Sequence, residues 1–322
     1  MSRSATVLVR LLPAAVAVAA AISLPYLVGL YEQQVGYRVL QLAASATAWN
    51  LLAGYGGLVS LGSAAFIGIG AYTAAQVGNA VRLPLGVLLL CAAVVAAAFA
   101  VAVSPAMFRL RGLYFTVGTL ALAEALRILM VNLPSFGGAG GVIVQFPSPP
   151  TYELYWWALG IAMVSTVTVI VIMATPLSLS LRAVRDDEDV ARQLGVITFR
   201  TKLWAFVLSA SLMGLVGGLQ AAKLGVIEPY GAFGITWTVD IAAVTIIGGL
   251  GTKAGPWVGA VFVVLLGVAL EDYAEVHLAI TGAVLILVIR FAPAGIWGSC
   301  AQRLVSRRWL APPRSVQAVA GA

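Results

Sequence analysis

The sequence predicts an all-α fold, a polytopic membrane helical bundle of about ten transmembrane helices. Three observations predict it. Of 322 residues, 61% are hydrophobic and 10% charged, too little charge to cover a soluble domain of that size. Mean hydropathy is +1.00, and the apolar residues gather in long runs between short polar stretches. No stretch alternates apolar and polar residues as a membrane barrel requires, so the spans are helices.

Taken in order, the apolar runs lie at Leu11–Leu30, Val39–Gly54, Leu58–Val77, Pro84–Val103, Leu113–Val131 and Leu154–Ala174, then at Leu203–Ala222, Thr238–Leu250, Pro256–Leu270 and Leu278–Phe291. The first follows Arg3 and Arg10. It is long for a signal peptide and lacks a small-residue cleavage site before Pro25, so it reads as an uncleaved span. Charge parity tests the count. With the N-terminus in the cytoplasm and ten spans, all the 19 basic residues except Arg38, Arg82, Arg127 and Lys223 fall inside. Glu32, Glu153, Glu228, Glu271, Asp272 and Glu275 fall outside. This is the positive-inside asymmetry, and both termini come out cytoplasmic. The net charge of +7 is therefore a topology signal, and no nucleic-acid partner is expected.

Between the sixth and seventh runs lies Arg182–Lys202, the one long charged stretch inside the apolar sequence. Asp186, Asp187, Glu188 and Asp189 are consecutive there, among Arg182, Arg185, Arg192, Arg200 and Lys202. Ala183 and Val190, Val184 and Ala191 are spaced by seven, and Leu194 follows Val190 by four, so a helix would align them in one stripe. The acidic cluster suits a helix N-terminus, and Gly195 suits its stop. Two readings stand side by side: a short amphipathic helix in a polar loop, and a solvated loop that carries topology signals.

Glycine marks two further places. Gly54–Gly62, with Gly56, Gly57 and Ser60, and Gly248–Gly255, with Gly248 and Gly249, both read G-G-L, then Ser or Thr, then Gly. They occupy comparable places in the two halves and hint at an internal repeat. Such glycines serve close helix packing, or break helices and expose backbone to a path. Gly137–Gly141 and Phe146–Pro150 read as a flexible and then stiff outer loop. Within the apolar runs, Glu124 and Arg127 are three apart and pair on one helix face. They read as a structural ion pair or as a substrate-polarising one. Asp240 reads as a helix cap or as part of an outer vestibule.

Several classes are excluded. The sequence has no Walker A phosphate loop, no metal-ligand spacing, no Gly-x-Ser-x-Gly, and one histidine, His277. Cys91 and Cys300 make no disulfide or metal pattern. No catalytic residue, metal site or cofactor is expected. Glu124 is nearly alone as an intramembrane carboxylate, which disfavours a proton-coupled secondary carrier.

Against that background, Asp189-Val-Ala-Arg-Gln-Leu-Gly195 resembles the E-A-A-x-x-x-G motif of ATP-binding-cassette importer permeases, with Asp for Glu and Val190 for the first Ala. The whole of Arg182–Gly195, followed by Lys202–Phe206, is similar to the branched-chain amino acid permease family. So are Asn50–Phe66, Leu110–Phe115 with Thr119–Glu124, and Gly248–Pro256. The likeness runs from about residue 38 to 295 and is nearest the larger of the two permease subunits; Ser63 stands where these permeases often carry His.

The resemblance implies a single transmembrane permease domain over 1–310 with a coupling loop at 176–202, and a disordered cytoplasmic tail over 311–322. It implies a second permease subunit as heterodimer partner, two separate ATPase subunits, and an extracytoplasmic binding protein, all at a bacterial inner membrane and its lipid. It makes the loop helix a coupling helix, with Val190, Ala191 and Leu194 docking on the ATPase, Gly195 making a close turn, and Asp186, Asp187, Glu188, Asp189 and Arg192 fixing register. The expected function is passage of branched-chain or similar hydrophobic amino acids. The alternatives are a urea or short-amide permease of the same superfamily, or a secondary carrier.

Overall fold

The computed structural model describes residues 28–271, with Ser23, Pro25 and short stretches between 280 and 299. Most of the expected first span, much of the last, His277, Cys300 and the 311–322 tail lie outside the described residues.

The fold is all-α and is built around α1 (Leu30–Asn50). Every residue from Leu40 to Asn50 is buried. Ala43, Ala44, Ser45, Ala46 and Ala48 give this helix a thin surface on all sides, so neighbouring backbones approach it closely. It passes into a π-helical turn, Leu51–Tyr55. The chain then runs without helix to Gly62 before α2 (Ser63–Ala80) begins. The order continues with α3 (Leu85–Met107), α4 (Leu113–Asn132) and α5 (Thr151–Ala174). Two short helices follow, α6 (Leu177–Asp186) and α7 (Glu188–Gln193). Then come α8 (Thr198–Leu224), α9 (Pro229–Ala232), α10 (Ile235–Gly248) and α11 (Gly255–Ala269).

α5, α8, α10 and α11 surround α1, and α8 also packs along α2 and α3. These contacts are backbone-close because glycine permits them. A Cβ on Gly217 of α8 would lie 1.9 Å from the Ile67 carbonyl oxygen, and one on Gly70 would lie 2.2 Å from that of Gly214. The core between them holds Trp49, Phe66, Phe206 and Met213. α4 stands apart. Its buried residues are Phe115, Thr119, Ala123 and Leu126, a single stripe at helical spacing. At the end away from α7, two 3₁₀ turns, Pro134–Phe136 and Gly138–Gly140, lead into β1 (Val142–Ile143). It pairs antiparallel with β2 (Val226–Ile227), Val142 facing Ile227. The glycine-rich loop is thus folded into turns rather than left open.

Among the described residues, five helical segments are long and apolar enough to cross a membrane: Leu85–Met107, Leu113–Asn132, Thr151–Ala174, Thr198–Leu224 and Pro229–Gly248. α11 is apolar but shorter. Two expected boundaries are corrected. The run expected from Val39 starts at Leu30, because the polar turns of Glu32, Gln33, Gln34 and Arg38 continue the helix where hydropathy falls. The run expected from Leu58 starts at Ser63, because its first residues are unwound.

Candidate functional site

The charged stretch folds as two helices. Asp187 has extended backbone (φ −159°, ψ 117°), so the helix breaks there. Its carboxylate accepts the N–H of Asp189 at 2.8 Å and of Val190 at 3.0 Å, an N-cap that satisfies the otherwise unpaired first turn of α7. At the other end Gly195 takes φ +85°. The Val196 N–H reaches the Ala191 carbonyl and the Gly195 N–H that of Arg192, both at 3.0 Å, a Schellman ending. α7 is therefore a short helix with a sequence-encoded start and stop.

Ionic contacts hold α7 to the bundle. Lys202, in the first turns of α8, has a side chain only 4% exposed and pairs with Glu188. Arg192 bonds Glu188 at 2.7 Å and the Thr198 hydroxyl at 3.2 Å. Arg111, from the α3–α4 connection, reaches Asp189 at 3.1 Å. Phe108, Phe115, Phe199 and Phe206 cluster beside Lys202.

The expected single stripe does not form. The break at Asp187 turns α7 relative to α6, so Val184 and Ala191 are buried while Val190 and Leu194 face outward. Ala191 is 1% exposed and packs within this chain, so it is not part of an outward docking face. Leu194, 75% exposed, and Ile197, 59% exposed, make that face with Val190. Asp186 ends α6, exposed.

The two glycine blocks meet beside this region. Asn50 donates to the Thr252 carbonyl and accepts the Gly251 N–H, each at 2.8 Å. Arg185 of α6 donates to the Gly54 carbonyl, which the π-turn leaves available. A Cβ on Gly54 would sit 2.7 Å from the Gly251 nitrogen, and one on Gly248 would sit 1.9 Å from the Gly255 carbonyl oxygen. Gly57 has φ +69° and lies against Arg185, Gly249 has φ +127°, and Gly56 is buried. These glycines serve close packing. The unwound Gly56–Gly62 is satisfied by side chains: Trp49 donates to the Ser60 carbonyl at 2.8 Å, and the Thr119 hydroxyl accepts the Leu61 N–H at 3.0 Å. Ser60 is buried beside Ser63 and Ser209.

Midway along α4, Arg127 and Glu124 form an ion pair, with Arg127 Nε donating to the carboxylate at 2.9 Å. The guanidinium lies 4.8 Å from the ring centroid of Tyr230 in α9. The Glu124 side chain is 50% exposed and borders a pocket of about 240 Å³ between α2, α4 and α10. Asp240 lies inside α10, past its first turn, and does not cap it; Gly234 holds that position.

Sequence reasoning named the acidic run, the glycines and the ion pair, but not Asn50, Arg185, Lys202 or Tyr230 as site residues. Lys202 had a signal: a lone lysine entering an apolar run needs a buried acidic partner. The others act across distant sequence, where no spacing reveals them.

The architecture defines a polytopic helical membrane protein with a charged, ordered segment at one end of the bundle. The profile of the branched-chain amino acid transport system permease component matches residues 34–289, and the chain belongs to that family of transmembrane transport proteins. It is 28% identical over 278 residues to the high-affinity branched-chain amino acid transport system permease protein LivM of Salmonella typhimurium, covering 77% of this chain and 65% of that protein, and equally similar to LivM of Escherichia coli. The match thus spans just under two thirds of these relatives' length. The corresponding LivH protein of Salmonella typhimurium is 34% identical over 123 residues, 36% of this chain and 38% of its own. An autoinducer 2 import system permease protein, LsrC of Klebsiella pneumoniae, is 27% identical over 161 residues, 48% of this chain and 46% of its own. No solved structure matches the chain.

Proposed function

We propose that this chain is a permease subunit of an ATP-binding-cassette importer in a bacterial inner membrane, and that it forms part of the path for branched-chain or similar hydrophobic amino acids. Residues 1–310 make one transmembrane domain of about ten spans with cytoplasmic termini, paired with a second permease subunit. Two ATPase subunits bind the end that carries α7, and an extracytoplasmic binding protein delivers substrate at the other.

The observation that carries this reading is α7 itself. A capped helix is held rigidly by Glu188, Asp189 and Arg192, and presents Val190, Leu194 and Ile197 outward. An exposed apolar face on a polar, immobilised segment suits docking into a groove of another protein. Its contacts lead inward through Lys202 to α8, and the adjoining α6 reaches the π-turn after α1 through Arg185. ATP-driven closure of the ATPase pair would move α7, and these rigid connections would carry the motion to the bundle.

The test is uptake in proteoliposomes. The chain, assembled with the ATPases, second permease and binding protein of its own gene cluster, should accumulate labelled leucine only with ATP. Uptake of urea or short amides in place of leucine would move the substrate assignment. Leucine uptake by the chain alone would replace the importer with a secondary carrier.

A further inference from the structure

The Glu124–Arg127 pair belongs neither to the central core nor to the charged end. It lies near the middle of a helix long and apolar enough to cross a membrane. Ionised groups within a membrane span are costly, so they face a bundle interior or a water-filled cavity. Here the carboxylate is half exposed, and it borders a pocket whose other walls include Leu61, Leu120, Phe233 and Ile235. One ionised group at the rim of an apolar pocket is the pattern of a site that orients a small amphiphilic ligand.

We propose that Glu124, Arg127 and this pocket form a recognition subsite for a branched-chain amino acid zwitterion on the translocation path. The inference rests on the importer reading above. Glu124 receives the α-ammonium, Arg127 the α-carboxylate, and the pocket of about 240 Å³ takes the aliphatic side chain. The two protein charges stand one helical turn apart on one face, so they meet both ends of an α-amino acid head at once. Stacking on Tyr230 keeps the guanidinium in place while Glu124 changes partner, and its planar fork suits a carboxylate. Charge is balanced throughout: a neutral ion pair meets a neutral zwitterion, so no net charge enters the apolar interior. A monocarboxylate or an alkylamine would leave one protein charge unpaired and be rejected.

The test uses the complete transporter in proteoliposomes and reads ATP-driven uptake of labelled leucine. Glu124→Gln and Arg127→Gln should each lower initial uptake by at least about tenfold, with Glu124→Asp recovering part of it. The swap Glu124→Arg with Arg127→Glu is decisive, because it keeps an ion pair but reverses the charge at the pocket rim. It should remain as low as the single variants. A swap that restores wild-type uptake, or a Glu124→Gln chain that transports normally, would overturn the subsite. A second measurement does not require charge variants to fold. In a chain with Cys91→Ser and Cys300→Ser, Leu120→Cys should react with a small maleimide. Leucine should slow that reaction by at least about threefold, and 4-methylpentanoate, which lacks the ammonium, should not. Equal or absent protection would also overturn the subsite. If the wild-type transporter accumulates no leucine with ATP, the importer reading falls and the subsite falls with it; wild-type uptake with unaffected variants removes the subsite alone.

Discussion

Lys202 and Glu188 carry the largest electrostatic stake of any pair of residues at the charged end. Both side chains are largely buried, 4% and 18% exposed; Glu188 also pairs with Arg192, so removing Glu188 strands Lys202 in a poorly solvated place, whereas removing Lys202 leaves Glu188 its second partner. Glu188→Leu should destabilise the protein by about 3 kcal/mol, seen as a lower midpoint of thermal unfolding in detergent. Adding Lys202→Met should recover much of that loss, because the buried charge left without a partner is then gone. Asp187→Ala removes two accepted N–H bonds and should cost about 1 kcal/mol, confined to α7. Hydrogen exchange should then rise at Asp189 and Val190 and stay unchanged in α8. These single-residue roles were partly legible. An acidic run followed by Gly195 marks a helix start and stop from short-range chemistry alone. The residue at which the chain breaks was not legible, since four acids in a row offer several candidate caps and tertiary packing selects one.

At the level of elements, glycine decides which helices touch. The α10–α11 crossing depends on Gly248, where a Cβ would strike the Gly255 carbonyl oxygen at 1.9 Å, and backbone cannot yield as a side chain can. Gly248→Val should lower stability by about 2 kcal/mol by overpacking. Gly160→Ala in α5, with nothing within 4 Å of its added carbon, should keep or slightly raise the unfolding midpoint. The same detergent melts read both. The positions of all eight apolar runs between Val39 and Leu270 were visible in the sequence, and each corresponds to a helix. Their ends were not, because hydropathy registers lipid contact while helix ends are set by backbone hydrogen bonds. The unwound Gly56–Gly62 is the clearest instance: its composition is as apolar as a span, yet its groups pair with Trp49 and Thr119. The two glycine blocks lie together because Asn50, at the foot of the first, bonds Gly251 and Thr252 of the second.

Taken whole, the molecule has a buried axis and an outlying helix. The apolar stretch of α8 is 72% buried, whereas that of α4 is 22% buried and holds the mid-span ion pair. Charge on a thinly covered helix calls for a neighbour or a water-filled path beside it, and the proposed translocation path supplies the second. The charged end is the reverse, a polar segment tied firmly to the axis by Lys202 and Arg185. Composition made the membrane class plain, but it could not reveal which helix is central. α1 buries Gln33, Gln41, Ser45, Thr47 and Asn50 and looks the least like a span, yet it is the one the others enclose. A central helix meets protein rather than lipid, so its polarity is free to rise.

The central claim is that the outward face of α7 passes the work of separate ATPase subunits into the bundle. The most direct measurement is ATP hydrolysis and leucine uptake recorded together in proteoliposomes for Leu194→Glu, a change at a residue 75% exposed that the fold does not need. The account predicts that hydrolysis continues while uptake falls by at least about tenfold, since a charge in an apolar docking groove breaks the transmission. Uptake at the wild-type rate, with the assembled transporter at wild-type yield, would contradict it.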